Sequence, residues 1–231
     1  MTLKLGIPSK GRLMEKTLTW FSDRQVTLEM SGSDREYSGV VKGIDGVDLV
    51  LLSAGEVPRE LALGNIHLGV TGADMVRERL NLWDAQVDVV AEMRFGFADL
   101  VIAVPTAWVD VDTLDDLDAA AAQFRQKHGF RMRIATKYHR LVRDFLRENG
   151  VADYQLVDSQ GATEGTVKNL TAEAIADITS TGDTQRANHL KALTDGLIMT
   201  SQATLFRSTN TKWGAGETAT YDALITTLSL A

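Results

Sequence analysis

Residues 174–184 read Ala174-Ile175-Ala176-Asp177-Ile178-Thr179-Ser180-Thr181-Gly182-Asp183-Thr184. A short apolar run ends in a carboxylate, passes through hydroxyls and a glycine, and leads into a stretch patterned as a helix from Gln185 to Leu193. Strand, polar turn and helix in that order form the building unit of an α/β protein. At such a turn backbone N–H groups point at an anion, and hydroxyls add further donors. Gly182 lets the main chain come close. The turn suits a phosphomonoester, and Asp177 would face a hydroxyl-bearing group such as ribose. The competing reading is structural: Thr181 or Asp183 simply caps the helix.

The same unit recurs on both sides of this stretch. Leu3–Ile7, Val47–Leu52, His67–Val70, Leu100–Val104, Arg133–Ala135, Tyr154–Val157 and Gly196–Met199 are short apolar runs, several of them continuous, as strands covered on both faces should be. Helical patterns lie between them. Thr113 followed by Asp116 starts one in the manner of a capping box, and Gly129 is placed to end it. A second runs from about Tyr138 to Asn149, and a third opens at Glu56-Val57-Pro58 and stops at Gly64. The alternation predicts an α/β protein with mostly parallel sheets.

Composition narrows the function classes. The 231 residues suffice for one large domain or two lobes. Lys+Arg is 24 against Asp+Glu 31, a net charge of −7, which disfavours non-specific nucleic-acid binding. With no Cys, disulfides, thiolate nucleophiles and cysteine-held metals are excluded. The four His are scattered, so no metal site is expected. Neither a signal peptide nor an apolar run long enough to cross a membrane is apparent, and a cytoplasmic location is expected. The best boundary candidate is Met93-Arg94-Phe95-Gly96-Phe97.

Four further turns follow strands. Lys10-Gly11-Arg12 places two cations beside a glycine at the end of the first strand, where open α/β sheets bind ligands and where a di- or triphosphate would be neutralised. It is not a P-loop, since GxxxxGK[ST] is absent. Thr71-Gly72-Ala73-Asp74 is by itself an ordinary strand-to-helix turn. Thr136-Lys137-Tyr138 offers Lys137 as a phosphate ligand, with a capping Thr136 as the bland alternative. Asp158-Ser159-Gln160-Gly161-Ala162-Thr163-Glu164-Gly165 brings backbone and one carboxylate, Glu164, into a loop. No nucleophile is paired with a base, so the residues favour transfer by positioning and charge stabilisation, or a pure binding role.

Taken together and in order, these five segments resemble the ATP phosphoribosyltransferase family of histidine biosynthesis. The resemblance implies two lobes with mostly parallel sheets, like type II periplasmic binding proteins, with the active site in the cleft between them. Residues 1–92 plus 208–231 would form one lobe, and 93–207 the other, carrying the phosphoribosyl-phosphate loop. It implies a reaction in which adenine N1 of ATP attacks the anomeric carbon of 5-phosphoribosyl 1-pyrophosphate and pyrophosphate leaves with Mg²⁺. That ion would be bound with the substrate rather than by a dedicated protein site. Under the resemblance, Thr179, Ser180, Thr181, Gly182, Asp183 and Thr184 hold the ribose 5-phosphate and Asp177 faces the ribose hydroxyls. Lys10, helped by Arg35, stabilises the departing pyrophosphate, with Gly11 and Arg12 beside it. Gly72, Asp74, Thr136 and Lys137 line the ATP side, and Glu164 lies near the reacting ribose. The length resembles the short form, without a C-terminal regulatory domain. Such chains pair with a regulatory subunit resembling histidyl-tRNA synthetase, as a hetero-octamer. The alternative from another class is a non-catalytic two-lobe nucleotide-binding or scaffold protein.

Overall fold

The structure, a computed structural model, describes residues 2–30, 38–159 and 161–230. The chain divides into two units, Met1–Gly96 with Gln202–Ala231, and Phe97–Ser201.

The first unit begins with β1 (Leu3–Pro8), α1 (Gly11–Ser22), β2 (Thr27–Met30), β3 (Ser38–Lys42) and β4 (Val47–Leu52). It continues through α2 (Val57–Ala62), β5 (Leu68–Gly72), α3 (Ala73–Arg79) and β6 (Val87–Glu92). Its seven-stranded sheet has the order β2-β3-β4-β1-β5-β12-β6, where β12 is Ala203–Ser208, and α8 (Ala215–Thr227) completes the unit. Side chains alternate across the pleat, so the sheet buries both faces. Leu3, Leu5, Ile7, Leu49 and Leu205 pack with Trp20 and Phe21 of α1 and Leu224 of α8. On the other side Val57 and Leu61 of α2 and Val76 of α3 pack with Ile66 and Phe206. Gly69 permits that approach: a Cβ there would sit 2.6 Å from the Val57 side chain.

The second unit contains β7 (Ala98–Pro105), α4 (Leu114–His128), β8 (Met132–Thr136), α5 (His139–Glu148) and β9 (Tyr154–Asp158). Then come α6 (Gly165–Lys168), β10 (Ala174–Thr179), α7 (Asp183–Ala187) and β11 (Leu190–Ser201). The sheet order is β11-β7-β10-β8-β9. The α4 capping box forms as the sequence suggests. The Thr113 hydroxyl accepts from the Asp116 N–H, and the Asp116 carboxylate accepts from the Thr113 N–H at 2.9 Å. Gly129 ends the helix in the left-handed conformation with φ 79°.

Three expectations change in detail. Both sheets are mixed: β1 is parallel to β4 and β5, and β8 to β9 and β10, but β7, β11 and β12 pair antiparallel to their neighbours. The return to the first unit falls before β12, because Ala203–Ser208 pairs with β5 and β6, whereas the sequence reading kept residues up to 207 in the second lobe. The helix expected over Gln185–Leu193 stops at Ala187. Leu190 and Leu193 are instead buried along β11, and Leu190 pairs with Pro105 of the apolar β7.

His67 closes the end of the first sheet opposite the candidate turns. It is buried beside Trp213, and its Nδ1 accepts the Lys4 N–H at 3.0 Å. Burial holds its pKa below the ordinary value of 6.5, with Glu217 opposing the shift and Lys4 adding to it. The unfolded chain therefore takes up this proton more readily, and stability falls as pH drops through the mid-6 range and below. Urea midpoints measured from pH 7.5 to 5.5 should decline. His67→Asn, which keeps an acceptor for Lys4 but does not titrate, should flatten the slope; an unchanged slope would show that other groups set it.

Candidate functional site

In a parallel sheet the loops after successive strands emerge at one edge. In the second unit, β8, β9 and β10 are parallel, so the segments after Thr136, Asp158 and Thr179 share an edge. The Ser159 N–H donates to the Thr136 carbonyl at 3.1 Å and ties two of these ends together.

The turn after β10 is held by its own hydroxyls. The Thr179 Oγ1 accepts the Gly182 N–H at 2.8 Å, and the Ser180 hydroxyl donates to the Phe97 carbonyl at 2.9 Å. Gly182 sits at φ 73°, a left-handed conformation that glycine adopts without strain, and α7 begins directly after it. The Thr181 hydroxyl donates to Asp183 Oδ2 at 2.6 Å. Arg186 Nη2 donates to Asp183 Oδ1 at 2.5 Å and to the Thr181 carbonyl at 2.9 Å. The Thr181 hydroxyl first, and the Arg186 guanidinium second, hold the Asp183 carboxyl below the usual carboxylate range. Thr184 is exposed, and its hydroxyl has no partner among the described residues.

Asp177 is buried near the end of β10. One carboxylate oxygen, Oδ1, accepts the Ile178 N–H at 2.8 Å and lies 3.6 Å from Lys137 Nζ. The parallel β8–β10 pairing brings Lys137 and Asp177 together, although forty residues separate them in sequence. Thr136 is fully buried and its hydroxyl accepts the Tyr138 N–H at 2.9 Å, a local turn bond beside that pair. Glu164 lies immediately before α6, with no hydrogen-bond or ion-pair partner among the described residues.

The first unit repeats the arrangement. The ends of β1, β4 and β5 share an edge, with the Ser9 N–H donating to the Leu52 carbonyl at 2.7 Å and the Thr71 hydroxyl to the Ala54 carbonyl at 2.7 Å. Lys10 and Arg12 are exposed there, and Gly11 opens α1 at φ 75°. Gly72 precedes α3, in whose first turn Asp74 is buried. Arg35 lies outside the described residues.

Sequence reasoning gave no role to Arg186. Its signal is the acid–base spacing Asp183 to Arg186, three residues apart on a helical turn. Gln185 carries another feature the pattern does not expose: it is buried, and its Nε2 has no hydrogen-bond partner among the described residues.

Fold and turns together define a two-unit α/β protein with polar turns at the carboxyl ends of parallel strands. A family model described as ATP phosphoribosyltransferase matches residues 53–229. The chain belongs to the ATP phosphoribosyltransferase family, transferases of histidine biosynthesis, and the non-catalytic alternative is not favoured. It is 71% identical over 213 residues to the ATP phosphoribosyltransferase of Cereibacter sphaeroides, covering 92% of this chain and 90% of that one. It is 46% identical over 230 residues to the one of Mesorhizobium japonicum, covering 99% of both. Among solved structures, an ATP phosphoribosyl transferase (HisG:HisZ) complex from Thermotoga maritima is similar in fold, with TM-score 0.75 at 21% identity over 99% of this chain and 96% of that one. A histidine kinase sensor domain with similarity to periplasmic binding proteins gives TM-score 0.53 at 11% identity, over 99% of this chain and 88% of that one.

An unpaired buried amide donor costs about 1–3 kcal/mol. Gln185→Leu should therefore raise the unfolding free energy in urea by about 1 kcal/mol. A loss of stability would mean that Nε2 is bonded in solution.

Proposed function

We propose that the residues at the two sheet edges divide one reaction between them, the transfer of a 5-phosphoribosyl group from 5-phosphoribosyl 1-pyrophosphate to N1 of ATP adenine. The observation that carries the assignment is the Thr179–Thr184 turn. Gly182 is left-handed there, the Thr184 hydroxyl is exposed and unbonded among the described residues, and a short helix follows. Such a turn supports binding of the ribose 5-phosphate, with the Thr179 and Ser180 hydroxyls fixing its shape rather than meeting the ligand.

Asp177 has one oxygen committed to the Ile178 N–H and to Lys137, which leaves the other for the ribose hydroxyls. Lys137 and the Thr136 turn, with Gly72 and Asp74 of the first unit, serve the ATP side. Glu164 serves the ribose near the reacting carbon. Lys10, with Arg35, and with Gly11 and Arg12 beside it, stabilises charge on the leaving pyrophosphate. Lys10 is exposed and has no ion-pair partner among the described residues, so its charge is not already neutralised there.

The chemistry needs no protein nucleophile. Adenine N1 supplies the electron pair for the new C–N bond, and the C–O bond to pyrophosphate breaks with its pair leaving on oxygen. The anomeric centre becomes cationic as this happens, so alignment and leaving-group stabilisation dominate. Mg²⁺ would enter with the pyrophosphate-bearing substrate rather than at a dedicated protein site. The chemistry it would supply is withdrawal of charge from the leaving group.

The partner is a regulatory subunit resembling histidyl-tRNA synthetase, in a hetero-octamer, and the location is cytoplasmic. The complex of the Thermotoga maritima relative supports a two-component assembly. No helix among the described residues is long and apolar enough to cross a membrane.

Two variants test the division of roles. Lys10→Ala should lower turnover by well over tenfold, about 1.4 kcal/mol or more of transition-state stabilisation. Thr184→Val should weaken binding of 5-phosphoribosyl 1-pyrophosphate roughly tenfold while leaving ATP binding unchanged. Turnover at the wild-type level in the first would remove Lys10 from the mechanism, and unchanged affinity in the second would remove the turn from the phosphate site.

A further inference from the structure

A carboxylate in a phosphate-binding turn is an electrostatic contradiction. Asp183 is the residue directly after Gly182, where the 5-phosphate is proposed to bind, and like charges at such range repel. The structure contains a group that offsets it. Arg186, one helical turn on, donates through Nη2 to Asp183 Oδ1 at 2.5 Å and to the Thr181 carbonyl at 2.9 Å. Its Nη1 lies over Gly182, where an added Cβ would come within 2.8 Å of it. One guanidinium thus spans Thr181, Gly182 and Asp183. The other Asp183 oxygen is occupied by the Thr181 hydroxyl at 2.6 Å.

We propose that Arg186 is a positioning residue of the phosphate turn, the built-in counter-ion that lets a turn containing Asp183 accept a phosphate dianion. It acts through Asp183 rather than on the reacting atoms. By pairing with Oδ1 it neutralises the carboxylate, and by holding the Thr181 carbonyl it fixes the backbone around Gly182. The planar, two-pronged donor geometry of arginine suits this double contact in a way that a lysine ammonium does not.

The pair contributes little to stability of the fold. Both side chains are largely exposed, at 66% and 75%, and an exposed ion pair of this kind is worth little on its own. Its consequence appears only when a third charge, the phosphate, enters. Removing Arg186 then leaves two anions facing each other at the surface, where salt screens the repulsion.

The inference rests on the assignment of the turn to the 5-phosphate, and its test separates the two. Affinity of the full-length chain for 5-phosphoribosyl 1-pyrophosphate and for ATP would be measured by titration calorimetry for wild type, Arg186→Ala, Asp183→Asn and the double variant. Arg186→Ala should weaken 5-phosphoribosyl 1-pyrophosphate binding roughly tenfold. ATP affinity and the thermal midpoint should stay unchanged. In the double variant the loss should largely vanish, and the penalty of Arg186→Ala relative to wild type should shrink as potassium chloride is raised. A double variant as weak as Arg186→Ala, or a penalty insensitive to salt, would overturn the counter-ion role. If Thr184→Val weakens binding while the Asp183–Arg186 cycle shows no coupling, the pair is wrong and the turn assignment stands. If Thr184→Val has no effect either, both fall together.

Discussion

Parallel pairing of β1 with β4 and β5, and of β8 with β9 and β10, is the constraint on which the rest of this protein depends. It sends the ends of strands far apart in sequence to a common edge, where their backbone groups have no further strand to meet. Those ends are then stitched to one another by main-chain bonds, Ser9 to Leu52 in one unit and Ser159 to Thr136 in the other. The apolar faces of the strands, buried under α1 and α8 on one side and α2 and α3 on the other in the first unit, make that arrangement rigid. Polar turns mounted on such a base can hold hydroxyls and backbone donors in place before a ligand arrives, which lowers the ordering cost of binding.

The same economy appears in the electrostatics of the second unit. Its candidate groups are few, and two pairs of them are already partnered: Lys137 with Asp177, Arg186 with Asp183. A phosphate held at this turn, as proposed, would meet hydroxyl and N–H dipoles more than free cations. The shape of the turn is set by Gly182 and by the Thr179 and Ser180 hydroxyls bonded back to the main chain, and under the proposal that shape would supply the discrimination. In the first unit the opposite holds, and Lys10 and Arg12 stand exposed. Exposed cations with no ion-pair partner among the described residues would suit the proposed role beside a group that becomes more negative as it departs.

Much of this was legible in the sequence, for physical reasons that also mark where legibility ended. The strands β1 and β10 are largely buried on both faces and, like β4, read as predominantly apolar runs, and the α4 capping box announces itself through Thr113 and Asp116. The strand β2 lies at the sheet edge with β3 next to it, both are short with polar residues at their ends or along them, and the pattern gave no warning of them. The stretch Gln185–Leu193 has Leu190 and Leu193 at helical spacing, yet both lie in β11, where Leu190 pairs with Pro105 of β7. At the candidate site the turn was visible as a cluster of hydroxyls around a glycine. Which hydroxyls are consumed internally was not, since the partner of Ser180 is the Phe97 carbonyl, 83 positions away in the chain. The Lys137–Asp177 pair was hidden in the same way, because strand order and not sequence spacing creates it.

The central claim is that these residues join two phosphate-bearing substrates and expel pyrophosphate. Pyrophosphate release should be followed with ATP, 5-phosphoribosyl 1-pyrophosphate and Mg²⁺, omitting each substrate in turn, with the regulatory subunit present. Release that requires both substrates is the expected result. Release from 5-phosphoribosyl 1-pyrophosphate alone at the same rate, or none with every component present, would contradict it.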